Sequence, residues 1–455
     1  MLSPKLQLLT NTVGRLVRRK AIPSLKKVLS KYRAEDVAVS LVHLTASERL
    51  EVFMLCPDDE YRISILSELD EDIAAGMVRE LDIKRAAELF QSMNPDDTAD
   101  ILGELPEDHR DEILKLIKNG YGGDLEDLLQ YDESTAGGIM NPQAFSLHRD
   151  TTVEEAISAL QNAERVEMAF YIYVVTDEER LIGVVSLRQL VTSQPKTTLG
   201  EIMTPDVVSV RPEEDQEDVA RLASRFGFLA IPVVGDSGEL LGIVTIDDVI
   251  DVLREEATED ILKMAGAGHA LMESHSVFTA IKVRLPWLAA TAVGGAMAAA
   301  IMVQFEAALS KIVALAFFVP VVLGMGGNVG TQSATIVIRG MATGRISPSQ
   351  FWRVVGREVL VGGLLGVVYG ITLGLFGLVR FYNTGFQNAA LLGSVVGLAT
   401  MTTMTLGALV ASTFPLAFER FNIDPAAASG PIVTTSLDVL GVLSYFLLAG
   451  LLLGV

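Results

Sequence analysis

The hydrophobic rhythm of the chain changes three times, and each rhythm predicts a different kind of element. In the first part, apolar residues recur at a twelve-residue step: Leu69, Leu81, Met93, Leu105 and Ile117. The first four are each followed by a helix-start or turn residue, namely Asp70, Asp82, Asn94-Pro95 and Pro106. Inside a unit the apolar positions have helical spacing, as in Ala86, Leu89, Phe90 and Met93. Twelve residues hold one short helix and a turn. Helices this short cannot bury their faces one at a time, so residues 1–132 are expected to stack into an all-α superhelix.

The second rhythm is strand-like and occurs twice. Phe170 to Val175, then Asp177, then Leu181 to Ser186 is echoed by Leu229 to Val234, then Asp236, then Leu240 to Thr245. Gly138-Ile139-Met140-Asn141-Pro142 is likewise echoed by Glu201-Ile202-Met203-Thr204-Pro205. Each copy reads helix, strand, turn, strand, helix, so residues 133–246 form two α/β units. From Ile246 the pattern becomes helical and acidic, a connecting helix over residues 247–276. The remainder, residues 277–455, holds five apolar segments: Leu285–Val303, Ile312–Ile338, Val354–Leu378, Ala389–Leu416 and Ala426–Leu453. Each is long enough to cross a bilayer as a helix.

Charge sharpens this division. From Val277 onward there are nine basic and five acidic residues, a surplus of +4, so of the whole chain's −21 the first 276 residues carry −25. An acidic block in front of an apolar one argues against nucleic acid or anionic lipid as its ligand and for cations. Cys56 is the single cysteine, which forbids an intrachain disulfide. The basic N-terminus lacks the apolar core and cleavage site of a secretory signal. The loop between the second and third segments carries Arg339, Arg345, Arg353 and Arg357, whereas the first and third loops carry only Lys311 and Arg380. The positive-inside rule therefore places that loop, the N-terminus and the acidic regions in the cytoplasm, with the C-terminus outside.

Candidate chemistry concentrates in the last segment. Asp424-Pro425 reads as a helix start, an N-cap aspartate with proline at the first helical position. Asp438 would then lie fourteen residues in, roughly 21 Å along the helix and inside the hydrocarbon core. A carboxylate at that depth needs protein, water or a cation opposite it, which makes an ion pathway the default hypothesis. Thr434, Thr435 and Gly441 share its face. In the second segment Pro320 to Gln332 is glycine-rich and carries Asn328 and Gln332 four apart, amides that either glue helices or line a path.

The soluble part offers further candidates. Asp96 and Asp100 are four apart on an expected exposed helix face and could take a divalent ion, or be merely solvated. Asp248, Asp251 and Glu255, with Glu256, Glu259 and Asp260, put like charges at helical spacings. Arg254 and Lys263 are the few basic residues nearby, so bound cations are the better compensation.

The duplicated α/β unit resembles a tandem pair of cystathionine β-synthase (CBS) domains. That resemblance implies adenine-nucleotide binding through a Thr and an Asp at the spacing of Thr245 and Asp248. The first copy has Gln189 in the Asp position, beside Arg188, which could reach a phosphate. Phe228, after Gly227, either stacks on a base or belongs to the core.

Taken along its whole length, the order helical repeat, CBS pair, acidic helix and five spans resembles the MgtE family of magnesium transporters. Two motifs carry the resemblance: Gly327-Asn328-x-Gly330-x-Gln332, and Asp424-Pro425 through Thr434-Thr435-x-x-Asp438. It implies a homodimer with a central pore in a cell membrane, with Asp438 from both subunits holding hydrated Mg²⁺. Thr434, Thr435 and Asn328 are then candidates for the pore lining and Asp424 for its cytoplasmic end. It further implies Mg²⁺ sensing at Asp248, Asp251, Glu256, Glu259, Asp260, Asp96 and Asp100, with ATP as a candidate regulator. No Walker A or zincin motif and no second catalytic constellation are present, so an enzyme is not expected. Transport of another divalent cation such as Co²⁺ is the alternative. The absence of His, Cys or Met grouped beside Asp438 favours a hard ion.

Overall fold

The computed structural model describes residues 3–117, 121–163, 170–267, 277–382, 388–421, 423–426 and 430–454. Two compact units are present, Met1–Leu253 and Arg254–Val455.

The first unit begins with the helical repeat. Its helices Asp59–Ser67, Glu71–Val78, Ile83–Phe90, Pro95–Gly103 and Glu107–Leu114 start twelve residues apart. Helices two apart pack together: Asp59–Ser67 on Ile83–Phe90, Glu71–Val78 on Pro95–Gly103, and Ile83–Phe90 on Glu107–Leu114. The turns are set by local chemistry: Asp58 and Asp82 accept from backbone amides at the helix starts, and Pro95 occupies a first-turn position where its missing N–H is no loss. The residues that define the repeat, Leu69, Leu81, Met93, Leu105 and Ile117, are all buried in one core.

The CBS pair follows. In the first copy, strand β1 (Ser146–His148) runs parallel to β2 (Tyr171–Val175), which pairs antiparallel with β3 (Leu181–Ser186). In the second, β4 (Ala230–Val234) pairs antiparallel with β5 (Leu240–Thr245). Both hairpins carry the same register shift, at Val174/Val175 and at Val233/Val234, as a sequence duplication predicts. Each hairpin is preceded by a helix, Val153–Asn162 or Gln216–Phe226, and runs directly into another, Leu187–Thr192 or Ile246–Met264. The strand β1 and the short helix Leu199–Ile202 are elements of the pair that the two-copy pattern does not reveal.

The second unit holds five helices long and apolar enough to cross a membrane. They are Val277–Gln304, Ala314–Ala342, Pro348–Tyr382, Ala389–Arg420 and Pro431–Leu453, and they make the chain a multi-pass membrane protein. The third and fourth spans are joined backbone to backbone. A Cβ added to Gly370 would meet the Gly397 carbonyl at 2.5 Å, and one added to Gly374 would meet the Gly393 carbonyl at 2.8 Å. The second and fourth spans touch in the same way, with a Cβ at Gly407 lying 2.5 Å from the Gly326 carbonyl. Small residues let helices approach where lipid supplies no hydrophobic drive for association.

Candidate functional site

The last span starts later than its sequence predicts. Asp424 does not cap it; its Oδ1 accepts from the Ala426 amide at 2.7 Å and so closes a local turn. The helix begins at Pro431, with Gly430 as its N-cap and no side-chain cap bond. Two prolines compete for the first-turn position, and tertiary contact selects the second. Gly430 sits where a Cβ would lie 2.6 Å from the Met264 carbonyl, an approach only glycine permits. Residues 427–429 of the predicted motif lie outside the described residues. Asp438 is thus the eighth residue of the helix rather than deep in a longer one, roughly 10 Å from its start.

Asp438 is half-buried and, among the described residues, has no hydrogen bond or ion pair. Its helix is held by close contacts on either side of it. A Cβ at Gly330 would lie 2.4 Å from Leu437 Cδ1, and one at Gly441 would lie 2.5 Å from Leu323 Cδ2 and 2.9 Å from Thr403 Cγ2. The second, fourth and fifth spans therefore meet around the turn that carries Asp438. Thr434 is half-buried, and its hydroxyl donates back to the Gly430 carbonyl at 3.1 Å. Thr435 turns instead to the first span, with Cγ2 in the space a Gly294 side chain would fill; its hydroxyl is buried without a partner among the described residues. Asn328 is exposed on the second span, as is Gln332. No hydrogen bond among the described residues joins Asp438, Asn328 and the two threonines.

Sequence reasoning passed over a second intramembrane carboxylate. Glu358, on the third span, is 7% exposed and accepts from Ser333 Oγ of the second span at 2.9 Å. Its signal was an acidic residue in an apolar run, but its partner lies 25 positions away.

Asp424 finds a partner outside the last span. Lys263 Nζ lies 2.6 Å from Asp424 Oδ2 and 2.7 Å from Glu259 Oε1. Burial lowers an ammonium, but the two carboxylates outweigh it and hold Lys263 above its ordinary value. The expectation that bound cations, rather than salt bridges, compensate the acidic connecting helix is therefore corrected at Glu259, which Lys263 pairs. Glu256 and Asp260 are half-buried on the same helix, and Asp251 is exposed nearer its start. The predicted residues 268–276 of the connecting helix lie outside the described residues.

Within the first unit, acidic residues of the helical repeat meet acidic residues of the CBS pair. Asp96 is not on an exposed face as expected: it is buried, and Asn141 Nδ2 donates to its Oδ1 at 3.3 Å. Asp100 is half-buried beside it. Asp97 accepts from Ser67 Oγ at 2.7 Å. Burial, opposed by that bond and reinforced by Asp247, Glu68 and Glu71, pushes Asp97 up to about 6. Burial likewise pushes Asp248 up to about 7 against the stabilising bond from Thr245, with Asp247 and Asp97 adding to the rise. Asp100 is raised well above the carboxylate range by burial and then by Glu71, Asp97, Asp248 and Glu133. Among the described residues, no three His, Cys, Asp or Glu side chains converge closely enough to cage one metal ion. Mg²⁺ does not require a cage. It keeps most of its water and binds through one or two carboxylates, so facing acidic surfaces suit it.

The two CBS copies treat their Thr/Asp and Ser/Gln positions alike. Asp248 accepts from the Thr245 amide at 3.2 Å and from its hydroxyl. Gln189 accepts from the Ser186 amide and hydroxyl at 2.9 and 2.7 Å. In the first copy the pair completes a capping box, with the Gln189 backbone amide donating to the Ser186 hydroxyl, whereas in the second the Thr245 hydroxyl donates to Asp247 and Asp248. Phe228 is stacked on Phe226, with centroids 5.3 Å apart, and Arg188 is exposed.

A helical repeat and a CBS pair joined to five apolar spans, one of them bearing a carboxylate without a partner among the described residues, define a membrane transporter with a large soluble part. Matches to known families agree segment by segment. A divalent cation transporter model matches residues 319–448, an MgtE intracellular N domain model matches 32–134, and CBS models match 136–195 and 199–255. The magnesium transporter MgtE of Thermus thermophilus is 37% identical over 436 residues, 94% of this chain and 95% of that protein. That of Bacillus subtilis is 32% identical over 432 residues, 95% of this chain and 94% of that protein. The chain belongs to the MgtE family. The crystal structure of the cytosolic domain of the Mg²⁺ channel MgtE in complex with ATP matches 53% of this chain and 99% of its own, at 34% identity and a TM-score of 0.50.

Proposed function

We propose that the chain carries Mg²⁺ into the cell down its electrochemical gradient and is closed by internal Mg²⁺. The observation that carries the reading is Asp438, a half-buried, unpaired carboxylate where three closely packed spans meet. Near-full-length similarity to proteins named magnesium transporters supports the choice of ion. Two chains would form the pore, with an Asp438 from each holding the ion through its waters and Thr434 and Asn328 adding oxygen. Thr435 contributes only if its buried hydroxyl turns from Gly294, and Asp424 marks the cytoplasmic end. A negative-inside potential supplies about 4.6 kcal/mol per divalent ion at 100 mV, so inward flow needs no ATP hydrolysis. The N-terminal domains face the cytoplasm and the C-terminus the outside.

Closure follows from the acidic surfaces. Asp96, Asp100, Asp248, Asp251, Glu256, Glu259 and Asp260 are the proposed sensor carboxylates, and like charge among them is relieved when Mg²⁺ binds. Mg²⁺ binds the closed arrangement better and shifts the population towards it. ATP is proposed to bind at the CBS pair, with Thr245 and Asp248 on the ribose, Phe228 against the base and Arg188 on a phosphate. The ATP complex of the related cytosolic domain supports this. Asp248, held by Thr245, would then serve nucleotide and sensor at once.

The test is Mg²⁺ flux into liposomes holding the purified chain, wild type beside Asp438→Ala, with Mg²⁺ varied on the side of the soluble domains. Flux lost in the variant and suppressed by Mg²⁺ on that side is expected. Flux that survives the substitution removes Asp438 from the pathway, and flux of Co²⁺ in place of Mg²⁺ overturns the substrate.

A further inference from the structure

Lys263 occupies an unusual position for a lysine on an acidic helix. Its ammonium bridges Glu259, one turn back, to Asp424, which precedes the last span by seven residues. Both carboxylate oxygens lie within hydrogen-bond distance of one nitrogen, close enough to share a hydrated divalent ion. The ammonium and both carboxylates are about one-third exposed. The cluster is therefore reachable by ions from solution yet only partly screened by water. Asp424 is doubly committed, since its other oxygen accepts from the Ala426 amide. It cannot swing away from the lysine without opening that turn.

We propose that Lys263 is a resident cation at the Glu259–Asp424 pair, competing with the divalent ion and setting the concentration at which the transporter closes. The inference rests on the sensing function proposed above. With Lys263 in place, the pair is neutralised by one charge and tied together even when divalents are scarce. An arriving Mg²⁺ meets a net charge of −1 instead of −2, and it must displace the ammonium to gain both carboxylates. Removing the ammonium frees the pair for the ion. The lysine thereby raises the closing threshold above what two bare carboxylates would give.

The experiment compares wild type, Lys263→Met and Lys263→Arg as full chains. Two quantities are read against Mg²⁺: flux in liposomes, and protection of the detergent-purified chain from chymotrypsin. The methionine variant should close and become protected at a roughly three- to tenfold lower Mg²⁺ concentration, the effect of one partly screened charge. The arginine variant, which keeps the charge, should follow wild type in both readouts. Lys263→Gln serves the same purpose if the methionine variant does not purify. An unchanged or higher threshold in the neutral variants, with wild type still inhibited by Mg²⁺, overturns the competition while leaving the sensor intact. A shift in the arginine variant equal to that of methionine also overturns it, because charge would not then be the cause. Wild type that is neither inhibited nor protected by Mg²⁺ overturns both readings.

Discussion

Ser333 donates its hydroxyl to Glu358 across the interface of the second and third spans, and both side chains are buried. A carboxyl group in a membrane bundle is expensive to leave without a donor. Ser333→Ala should therefore lower the stability of the purified chain by about 1–3 kcal/mol, seen as an earlier thermal transition in detergent. Glu358→Gln, which keeps an acceptor of the same shape, should be milder than Glu358→Ala. Equal transitions for all three variants and wild type would show that the bond carries no weight.

Gly407 and Gly324 give a paired test of close helix approach. A Cβ at Gly407 would sit against the backbone carbonyl of Gly326, which cannot rotate away, whereas one at Gly324 meets nothing within 4 Å. Gly407→Ala is expected to separate the second and fourth spans, to destabilise by about 1–3 kcal/mol, and to reduce flux. Gly324→Ala should behave as wild type in the same thermal and flux assays.

The acidic meeting surface of the first unit makes stability depend on pH. Asp97 and Asp248 titrate near 6 and 7 in the folded chain, against about 3.9 for an unfolded aspartate. The folded state thus binds more protons than the unfolded one between those values. Stability is fully present below pH 4 as far as these groups are concerned, and is lost as pH rises through 6 to 7. In chelator the thermal transition of this unit should fall between pH 6 and pH 8, and added Mg²⁺ should restore it at pH 8. A flat profile would mean the facing carboxylates are already compensated.

Thr245 and Asp248 separate a hydrogen bond from charge. Thr245→Ala removes a buried hydroxyl that donates to Asp248 and, as a lost hydrogen bond, should destabilise by about 1 kcal/mol. Asp248→Asn keeps an oxygen for the Thr245 amide but removes a crowded negative charge. At pH 8 without divalents it should match or exceed wild type in thermal stability, while responding less to Mg²⁺. Destabilisation by Asp248→Asn as large as that of Thr245→Ala would place the weight on the hydrogen bonds from Thr245 instead.

Much of this architecture is legible in the sequence because its signals are local or repeated. The twelve-residue step of Leu69, Leu81 and Met93 reports one helix at a time, and the CBS duplication confirms itself by its own echo. The apolar runs report the spans directly. The misreadings come from contacts made at a distance. Asp424-Pro425 and Gly430-Pro431 are both credible helix starts, and the Met264 carbonyl against Gly430 decides between them. Asp96 has the spacing of an exposed residue until Asn141, 45 positions on, covers it. Lys263 reads as one of two basic residues on an acidic helix until the chain returns Asp424 to it. Glu358 was visible only as a charge, and no local pattern names Ser333 as its donor.

The reciprocal glycine contacts of the third and fourth spans have a mechanical meaning. Gly370 with Gly397 and Gly374 with Gly393 put main chain against main chain, with no side chain between that could change rotamer. Such a joint has no slack: it cannot slide or tilt by small steps without collision. The two helices therefore move as one stiff plank. The second span is joined to the fourth in the same way at Gly407 and Gly326, so it belongs to that plank, and an opening of a conduction path is left to the first and fifth spans.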